Sequence, residues 1–428
     1  MNAEVTGLDS RSTAAKPALA GIRVADLTQF ESGTACTEML AFLGAEVIKV
    51  EPPVRGESGR YASATEATPP GVDSAFFVVM NASKHSVTAD LKQEKGRALL
   101  RQLIEHSDVF VENFAPGTIE RLGFDYEAVR RINPRIIYAQ IKGYPADGPF
   151  GSLPAFDITA QAAGGSTSIT GYRDGPPVTG GVHVGDTGTG LHCVIGILAA
   201  LVQRQTTGTG QRVEISMQEA IISQARASYV QQIITGKPTE RASGNGPPNG
   251  GILAMFPCKG GGPNDYCYMT IRTGGTKTTG ASGGAHQWDN LLKVMGRDDL
   301  IGDPRYTAPA ERLKNMKEVH QIITDWTLQH DKHEVMRRLG AAGLLASAVL
   351  DTSELSNDPT LRKRGTFVTI DHPQRGAMTI PGWPVKLSDS SVPVTVSPAL
   401  GGDNERIYGE LFGLSADELA ALRAEAVI

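Results

Sequence analysis

The chain has 428 residues, more than a single hydrophobic core usually organises, so two domains are expected. Hydrophobic residues make up 40% of it and charged residues 20%, which is typical of a soluble globular protein. A net charge of −5 gives no electrostatic reason to expect nucleic acid or an anionic membrane as a partner. The four cysteines form no C-x-x-C pair, and no apolar run approaches the length of a membrane span. Composition therefore predicts a cytoplasmic protein with reduced thiols.

In the first half of the chain, predicted strands alternate with predicted helices, after a tail of residues 1–18 that is expected to be disordered. The predicted strands cover residues 22–27, 46–51, 108–112, 135–141 and 211–216. The predicted helices cover residues 34–43, 92–106 and 118–122. Residues 52–72 are rich in Gly, Ser, Thr and Pro and are expected to form a surface loop. This alternation predicts an α/β fold with a parallel sheet.

The second half of the chain has a different composition. A helix over residues 217–235 is expected to lead out of the first domain as a linker. Glycine-rich stretches, one strand over 266–271 and helices over 286–295, 316–328 and 332–339 then predict a smaller α+β domain, with its return linker, over 236–349. Residues 350–428 are expected to return to the first domain with a terminal helix over 415–426, so that the large domain comprises 19–216 and 350–428.

Unusual residues follow three of the predicted strands, at positions 28–32, 112–115 and 142–144. In open α/β sheets, ligands bind beyond the carboxyl ends of the strands. These three segments are therefore expected to converge on a ligand. The carboxylate of Asp186 would join them if residues 182–184 form one more strand.

One short stretch, GGVHVGDTGTGLHC over residues 180–193, carries the best candidate for chemistry. Five glycines surround a single carboxylate, Asp186, just before an apolar run over 191–202 that is expected to be a buried helix. Asp186 could cap that helix, which would contribute about 1 kcal/mol. It could also be a reactive group, because glycines allow a substrate close to the backbone. Spacing alone favours the cap.

Several common reaction types are excluded by their missing motifs. The chain contains no G-x-x-x-x-G-K-[ST] phosphate loop and no G-x-S-x-G nucleophile elbow, and GDTGTG has the wrong glycine offsets for a dinucleotide-binding turn. The nine histidines are scattered without metal-ligand spacing. The remaining candidate chemistry is that of a carboxylate, with no bound metal or permanent cofactor expected.

Several spaced motifs occur in one order from Leu19 onward: LAGIRVADLTQF, GAEVIKVEPP, DVFVENFAPGTIERLGFDY, NPRIIYAQIKGY and VGDTGTGLHCVIGILAAL. Together they resemble the family III CoA-transferases, the CaiB/BaiF group, and within it most closely the formyl-CoA:oxalate subgroup. The resemblance implies a Rossmann-like large domain, a smaller inserted domain, and a homodimer of two subunits threaded through each other as interlocked rings. It also implies an acyl-CoA donor and a carboxylic acid acceptor as substrates.

The resemblance also implies roles for individual residues. Asp186 matches the catalytic aspartate of the family. The positions that match CoA-binding residues are Glu31, Ser32, Ala89, Asp90, Leu91, Lys92, Asn113, Phe114, Ala115, Arg121, Lys142, Phe156 and Asp157. Phe76 matches a substrate-side position, and Gly250 and Gly251 fall near a mobile glycine loop.

The implied reaction agrees with the candidate carboxylate. A carboxylate is an adequate nucleophile towards a thioester held close to it. Asp186 would attack the donor to give an aspartyl mixed anhydride and CoA thiolate, and the thiolate would then form an aspartyl-CoA thioester. The acceptor carboxylate would enter in the later steps.

The sequence departs from the formyl-CoA:oxalate pattern at five positions. Glu31 replaces a glutamine, Phe76 and Phe156 replace tyrosines, and Pro52 and Pro154 replace an arginine and a lysine. A carboxylate and two phenyl rings suit a small dianion poorly, so a larger or less charged acid is expected as acceptor. The two phenylalanines could equally be core residues.

Two alternatives remain. An α-methylacyl-CoA racemase would share the fold but needs two proton-transfer groups, and this chain has Phe156 where that subgroup has a histidine before the residue matched by Asp157. A non-catalytic CoA-binding subunit is the other alternative, against which the presence of Asp186 argues.

Overall fold

The computed structural model describes residues 16–62, 71–241, 252–271 and 284–428, with the backbone alone for 284–286. The described residues fall into two compact units. The first takes its residues from Met1–Gly165, Gly180–Arg226 and Pro359–Ile428, and the second from Ser166–Thr179 and Ala227–Asp358. No helix in the described part of the chain is long and apolar enough to cross a membrane.

Strands and helices are numbered in chain order. The strands are β1 Arg23–Leu27, β2 Glu46–Glu51, β3 His85–Thr88, β4 Val109–Glu112, β5 Ile137–Lys142, β6 Arg212–Ser216, β7 Ile252–Pro257, β8 Tyr266–Ile271, β9 Leu345–Ala348, β10 Phe367–His372 and β11 Gly376–Pro381. The helices are α1 Ser32–Phe42, α2 Ala75–Met80, α3 Glu94–Glu105, α4 Thr118–Arg121, α5 Tyr126–Ile132, α6 Asp157–Ala163, α7 Ser166–Ile169, α8 Thr187–Thr207, α9 Met217–Gln224, α10 Tyr229–Thr235, α11 Gly284–Met295, α12 Pro309–Lys314, α13 Met316–Thr327, α14 Lys332–Ala341, α15 Thr352–Asn357, α16 Pro359–Lys363 and α17 Ala416–Ala424.

The first unit is built on a six-stranded sheet in the order β3-β2-β1-β4-β5-β6. Every neighbouring pair in it is parallel. Apolar side chains are buried on both of its faces: α1 and α8 cover one cluster, and α3, α5 and α17 the other. Parallel sheets are usually covered on both faces in this way. The order is that of a Rossmann-like fold, and it reverses between β1 and β4.

Helix α8 packs tightly against α1 in the first unit. A Cβ added at Gly190 would lie 2.8 Å from the carbonyl oxygen of Ser32 and 3.1 Å from the amide nitrogen of Cys36. The glycines that follow Asp186 therefore allow helix packing. The prediction that the apolar run over 191–202 forms a buried helix holds for one face of α8 and is wrong for the other, where Ile195 and Val202 are each 65% exposed.

Two other predicted elements differ from the structure. Residues 182–184 form no strand but a bend, an irregular position and the start of a turn, so Asp186 does not follow a strand. The predicted helix over 217–235 is interrupted: α9 ends at Gln224, a short 3-10 turn covers Arg226–Ser228, and α10 begins at Tyr229. Helix propensity continues through this stretch, and local periodicity alone did not reveal the break.

The second unit contains the antiparallel sheet β7-β8-β9. Apolar residues of this sheet and of α11, α13 and α14 form one buried cluster, which includes Trp288 and Trp326. The glycine loop residues Gly250 and Gly251 lie outside the described residues.

A buried ion-pair network lies within the segment predicted to be a surface loop. The Arg60 guanidinium donates to both carboxylate oxygens of Glu51, each at 2.7 Å, and to Asp73 Oδ2 at 2.8 Å. It also lies over the ring of Phe77, 3.9 Å from the ring centroid. Burial alone would raise the pKa of Glu51, but Arg60 lowers it. The network fixes Arg60 against the end of β2.

Replacing Arg60 by methionine is expected to destabilise the protein by about 3–5 kcal/mol, because Glu51 would be left as an unpaired buried charge. Urea denaturation followed by tryptophan fluorescence measures the effect. The matched control is Arg101→Met, which removes an exposed ion pair with Glu94 and should leave the unfolding midpoint nearly unchanged. Equal midpoints for the two variants would contradict the role assigned to Arg60.

Candidate active site

The loops that follow β1 and β4 meet where the strand order reverses, and Asn113 joins them. Its Oδ1 accepts a hydrogen bond from the Gln29 amide at 2.8 Å, and its Nδ2 donates to the Gln29 carbonyl at 2.9 Å. The same Nδ2 donates to Ser32 Oγ at 3.1 Å. Asn113 therefore fixes the start of α1 at the place where doubly wound sheets bind ligands.

The backbone of this loop is strained at Phe30, whose φ of +56° is left-handed. Such a conformation costs a non-glycine residue about 1–2 kcal/mol. Two contacts hold it: Glu57 Oε2 accepts from the Phe30 amide at 3.2 Å, and the Thr34 hydroxyl donates to the Phe30 carbonyl. The ring of Phe30 meets Phe156 edge to face, with 5.8 Å between centroids. The two rings form an apolar wall.

Lys142, at the end of β5, has its charge satisfied inside the fold. Its Nζ donates to Glu112 Oε2 at 2.9 Å and to the Phe114 carbonyl at 2.7 Å. Glu112 is fully buried and also accepts from the Phe114 amide at 2.9 Å. Lys142 and Glu112 thus shape the loop after β4 as a unit.

Asp157, the first residue of α6, holds the turn that carries Asp186. Its Oδ1 accepts from the amides of Gly185 at 2.8 Å and Asp186 at 3.3 Å, and its Oδ2 accepts from Gln161 at 2.7 Å. A Cβ at position 185 would lie 2.9 Å from Asp157 Oδ1, so glycine is required for this contact. Asp157 is buried and orients the backbone of Asp186.

Asp186 stands at the N-terminus of α8, where its side chain makes no capping hydrogen bond to that helix in the described structure. The pKa of Asp186 is raised to about 7, first by burial and then by the negative charges of Glu31 and Asp157. His183 acts in the opposite direction. The half-buried carboxylate is thus a poorly solvated group with an elevated pKa, which is typical of a reactive residue.

Glu31, at the N-terminus of α1, is buried and paired. Its Oε2 lies 2.7 Å from His183 Nδ1, and its Oε1 accepts from the Thr187 hydroxyl at 2.7 Å. The hydrogen bond to Glu31 is the largest cause of the raised pKa of His183. From the sequence, the charge of Glu31 is expected to repel an acceptor carboxylate. In the structure the carboxylate of Glu31 is hydrogen-bonded to two neighbours, His183 and Thr187.

Two cavities with lining residues in common lie at this site. The first, of about 230 Å³, contains Asp186 and has both apolar and polar lining residues. It is lined by Gln29, Phe30, Glu31, Ser32, Asn113, Phe114, Ala115, Pro116, Ile141, Lys142, Gly143, Leu153, Pro154, Ala155, Phe156, Asp186 and Met217. The second, of about 800 Å³, shares Gln29 and Phe114 with the first. It is lined by Leu27, Gln29, Val50, Glu51, Pro52, Pro53, Arg55, Gly56, Glu57, Ser58, Tyr61, Ala89, Asp90, Leu91, Lys92, Phe114, Thr118, Leu122 and Ala426.

The structure brings together most of the residues singled out from the sequence. Those that line the first cavity are Glu31, Ser32, Asn113, Phe114, Ala115, Lys142, Phe156 and Asp186. Those that line the second are Ala89, Asp90, Leu91, Lys92 and again Phe114. Arg121 is exposed on α4, and Phe76 is half-buried on α2; neither they nor Asp157 line these two cavities.

Sequence reasoning missed His183, Thr187 and Glu57. His183 and Thr187 flank Asp186, so their position in the chain was a usable signal, but their pairing with Glu31 depends on the packing of α8 against α1. Glu57 lies in the segment predicted to be a surface loop and gave no signal. No cluster of three or more potential metal ligands occurs in the described parts of the chain.

Comparison with known proteins agrees with this geometry. Residues 19–404 match CoA-transferase family III. The chain is 40% identical to proteins named formyl-CoA:oxalate CoA-transferase from Streptomyces avermitilis and Streptomyces coelicolor, over 96% of this chain and 99% of each relative. A protein of the same name from Bradyrhizobium sp. is 38% identical over 95% of this chain and 96% of its own length.

Solved structures are also similar to this chain over most of its length. A CaiB/BaiF family protein from Brucella suis superposes with a TM-score of 0.81 at 28% identity, covering 93% of this chain and all of that chain. Rv3272 from Mycobacterium tuberculosis gives a TM-score of 0.73 at 26% identity, covering 91% of this chain and 98% of its own. With the family matched over most of its length, this chain belongs to CoA-transferase family III, the CaiB/BaiF group, and is a CoA-transferase.

Proposed function

We propose that the chain moves CoA from an acyl-CoA thioester to a carboxylic acid, with Asp186 as the nucleophile. The observation that carries this proposal is that Asp186 lines a cavity that shares two lining residues, Gln29 and Phe114, with a larger cavity. The curated relatives named formyl-CoA:oxalate CoA-transferase support transfer between a CoA thioester and an acid.

The larger cavity is the proposed site for the nucleotide and pantetheine parts of CoA. Its volume suits a large ligand, and the exposed cations Arg55 and Lys92 on its wall can face phosphate groups. The pantetheine arm would pass Gln29 and Phe114, which bound both cavities. Its thioester would then reach Asp186 in the smaller cavity.

The donor half-reaction has two steps. A carboxylate oxygen of Asp186 forms a bond to the acyl carbon of the donor while the carbon–sulfur bond breaks, which gives a mixed anhydride and CoA thiolate. The thiolate sulfur then attacks the aspartyl carbonyl carbon, the anhydride carbon–oxygen bond breaks, and the donor acid leaves as a carboxylate. Asp186 now carries CoA as a thioester.

The acceptor half-reaction reverses these steps with a different acid. The acceptor carboxylate attacks the aspartyl thioester, so thiolate leaves and a second mixed anhydride forms. The thiolate attacks the acceptor carbonyl, and Asp186 leaves as a carboxylate. No proton or electron is gained or lost overall.

Burial of Asp186 suits this role. A poorly solvated carboxylate needs to shed little water before it attacks a thioester. Asp157 holds the backbone of Asp186, and Asn113 holds the opposite loop, so the nucleophile and the substrate are oriented before they react.

The acceptor is proposed to be a monocarboxylic acid with an apolar body. Phe30, Phe156 and Leu153 give the smaller cavity an apolar wall. The one lysine on its lining, Lys142, already pairs with Glu112, so a second carboxylate of an acceptor would find no free cation among the described lining residues.

Racemisation is a second candidate, since His183 brings a proton-transfer group into the cluster around Asp186. Its side chain does not belong to the described lining of the cavity, which favours transfer. Exchange of the α-proton of a 2-methylacyl-CoA in D₂O would identify racemase activity.

An interlocked homodimer is proposed as the assembly, in agreement with the resemblance. Apolar residues on two helices support it: Ile195 on α8 is 65% exposed, and Ile233 and Ile234 on α10 are 80% and 77% exposed. A second copy of the chain would remove these surfaces from water. Light scattering on the purified protein is expected to give twice the chain mass of 45.4 kDa, and a monomer mass at working concentrations would contradict it.

Replacing Asp186 by asparagine is expected to lower the transfer rate by at least about a thousandfold, because the nucleophile is lost. CoA affinity, measured by calorimetry, should change by less than about threefold, since the CoA cavity is unaltered. The matched control is Glu127→Gln, which neutralises an exposed carboxylate on α5 and should retain full activity. An Asp186→Asn variant with near-normal transfer would contradict the mechanism.

Replacing Phe156 by alanine is expected to raise KM for an apolar monocarboxylate about tenfold, because lost aromatic contact costs about 1–2 kcal/mol. Formation of the acyl adduct from the donor should change little. The control is Tyr172→Ala, since Tyr172 is also an aromatic residue with 59% exposure but does not line the described cavity. Equal KM changes in the two variants would contradict the assignment of Phe156 to the acceptor site.

A further inference from the structure

We infer that Glu31 and His183 are positioning residues that set the acceptor selectivity and the working pH range of the transfer, acting through Asp186. This inference rests on the proposed function and deepens it. Neither residue is assigned the bond-forming step.

The geometry ties the pair directly to the nucleophile. Glu31 begins α1, and both of its carboxylate oxygens are engaged, one with His183 Nδ1 at 2.7 Å and one with Thr187 Oγ1 at 2.7 Å. His183 and Thr187 lie three residues before and one residue after Asp186 in the chain. Glu31 therefore clamps both sides of the turn that presents the reactive carboxylate.

The negative charges around this turn explain why Glu31 needs a cationic partner. The carboxylates of Glu31, just before α1, and of Asp157 on α6 both act on the carboxylate of Asp186, just before α8. Neighbouring negative charges disfavour the ionisation of Asp186, and a buried carboxylate without a cationic partner costs free energy. A protonated His183 offsets the charge of Glu31, so that Asp186 can ionise beside it.

The remaining charged group on the cavity lining cannot take this role. Lys142 donates to Glu112 and to the Phe114 carbonyl, so its charge is already paired with another carboxylate. His183 therefore supplies the positive charge of the Glu31–Asp157–Asp186 cluster, and unlike lysine it loses that charge near neutral pH.

Two consequences follow for the acceptor. With His183 protonated, the pair is neutral overall, and an acid with one carboxylate can approach Asp186. A dicarboxylate brings a second negative charge that the pair cannot balance. Once His183 loses its proton, its Nδ1–H still donates to Glu31, but the negative charge of Glu31 is no longer offset and repels every carboxylate acceptor.

The transfer activity is therefore expected to rise and then fall as the pH increases. Activity rises with pH as Asp186, with its pKa near 7, ionises. It falls at higher pH as His183, whose pKa is raised chiefly by the hydrogen bond to Glu31, becomes neutral. The two limbs belong to groups that interact, so each should move when the other partner is altered.

The test compares wild type, Glu31→Gln and His183→Gln. The donor is whichever of formyl-CoA, acetyl-CoA, succinyl-CoA and phenylacetyl-CoA acylates wild-type Asp186, and the acceptors are phenylacetate and oxalate. Glu31→Gln should move both limbs to lower pH and increase the kcat/KM ratio of oxalate to phenylacetate about tenfold, since one negative charge is removed. His183→Gln should abolish the falling limb and move the rising limb to higher pH.

His192→Gln is the matched control. His192 lies on α8, and its Nδ1 contacts the Gly188 carbonyl at 2.7 Å instead of a carboxylate. Both limbs and the acceptor ratio should stay at their wild-type values in this variant. Movement of the limbs in His192→Gln equal to that in His183→Gln would overturn the inference.

Proton NMR gives a readout that needs no substrate. The C2–H resonance that disappears in His183→Gln should titrate above the ordinary histidine range in wild type and return towards it in Glu31→Gln. Titration of the His183 resonance in the ordinary histidine range in wild type overturns the inference. It is also overturned if a Glu31→Gln enzyme that still transfers CoA keeps both limbs of the pH profile and the acceptor ratio at their wild-type values. Failure of every donor to acylate wild-type Asp186 would instead overturn the proposed function.

Discussion

The close packing of the first turn of α8 against the first turn of α1 is the constraint on which the site depends. Gly190 allows it, because any side chain there would collide with the Ser32 carbonyl. The contact brings Asp186 to the loop after β1, although Asp186 follows no strand itself. Without it, Glu31 could not reach His183 and Thr187, and the smaller cavity would lose one wall.

A second constraint is electrostatic. The carboxylates of Glu31, Asp157 and Asp186 belong to one poorly solvated site. Each has a different role there. Asp157 accepts backbone hydrogen bonds and holds the turn, Glu31 pairs with His183, and Asp186 keeps its carboxylate for the cavity. Burial and the two neighbouring charges together raise the pKa of Asp186, which is how a common residue type acquires a reactive character.

Sequence patterns predicted the elements of the large domain well wherever a strand was long and apolar; β2, for example, covers Glu46–Glu51 as expected. They failed where tertiary contacts decide the outcome. The turn at Gly185 and Asp186, where a preceding strand was expected, is held by Asp157. Arg60 is buried within an otherwise polar loop by its pairing with Glu51. At the site, Asp186 and Asn113 could be named from the sequence, but the pairing of Glu31 with His183 joins residues 152 positions apart and needed the fold.

The most direct measurement is mass spectrometry of the intact protein after incubation with a panel of acyl-CoA thioesters, followed by hydroxylamine treatment and peptide mapping. The account predicts a donor-dependent mass increase that maps to Asp186 and is released by hydroxylamine, as an anhydride or thioester requires. Saturation with an acyl-CoA that supports transfer, with no modification of Asp186 at any time point, would contradict it.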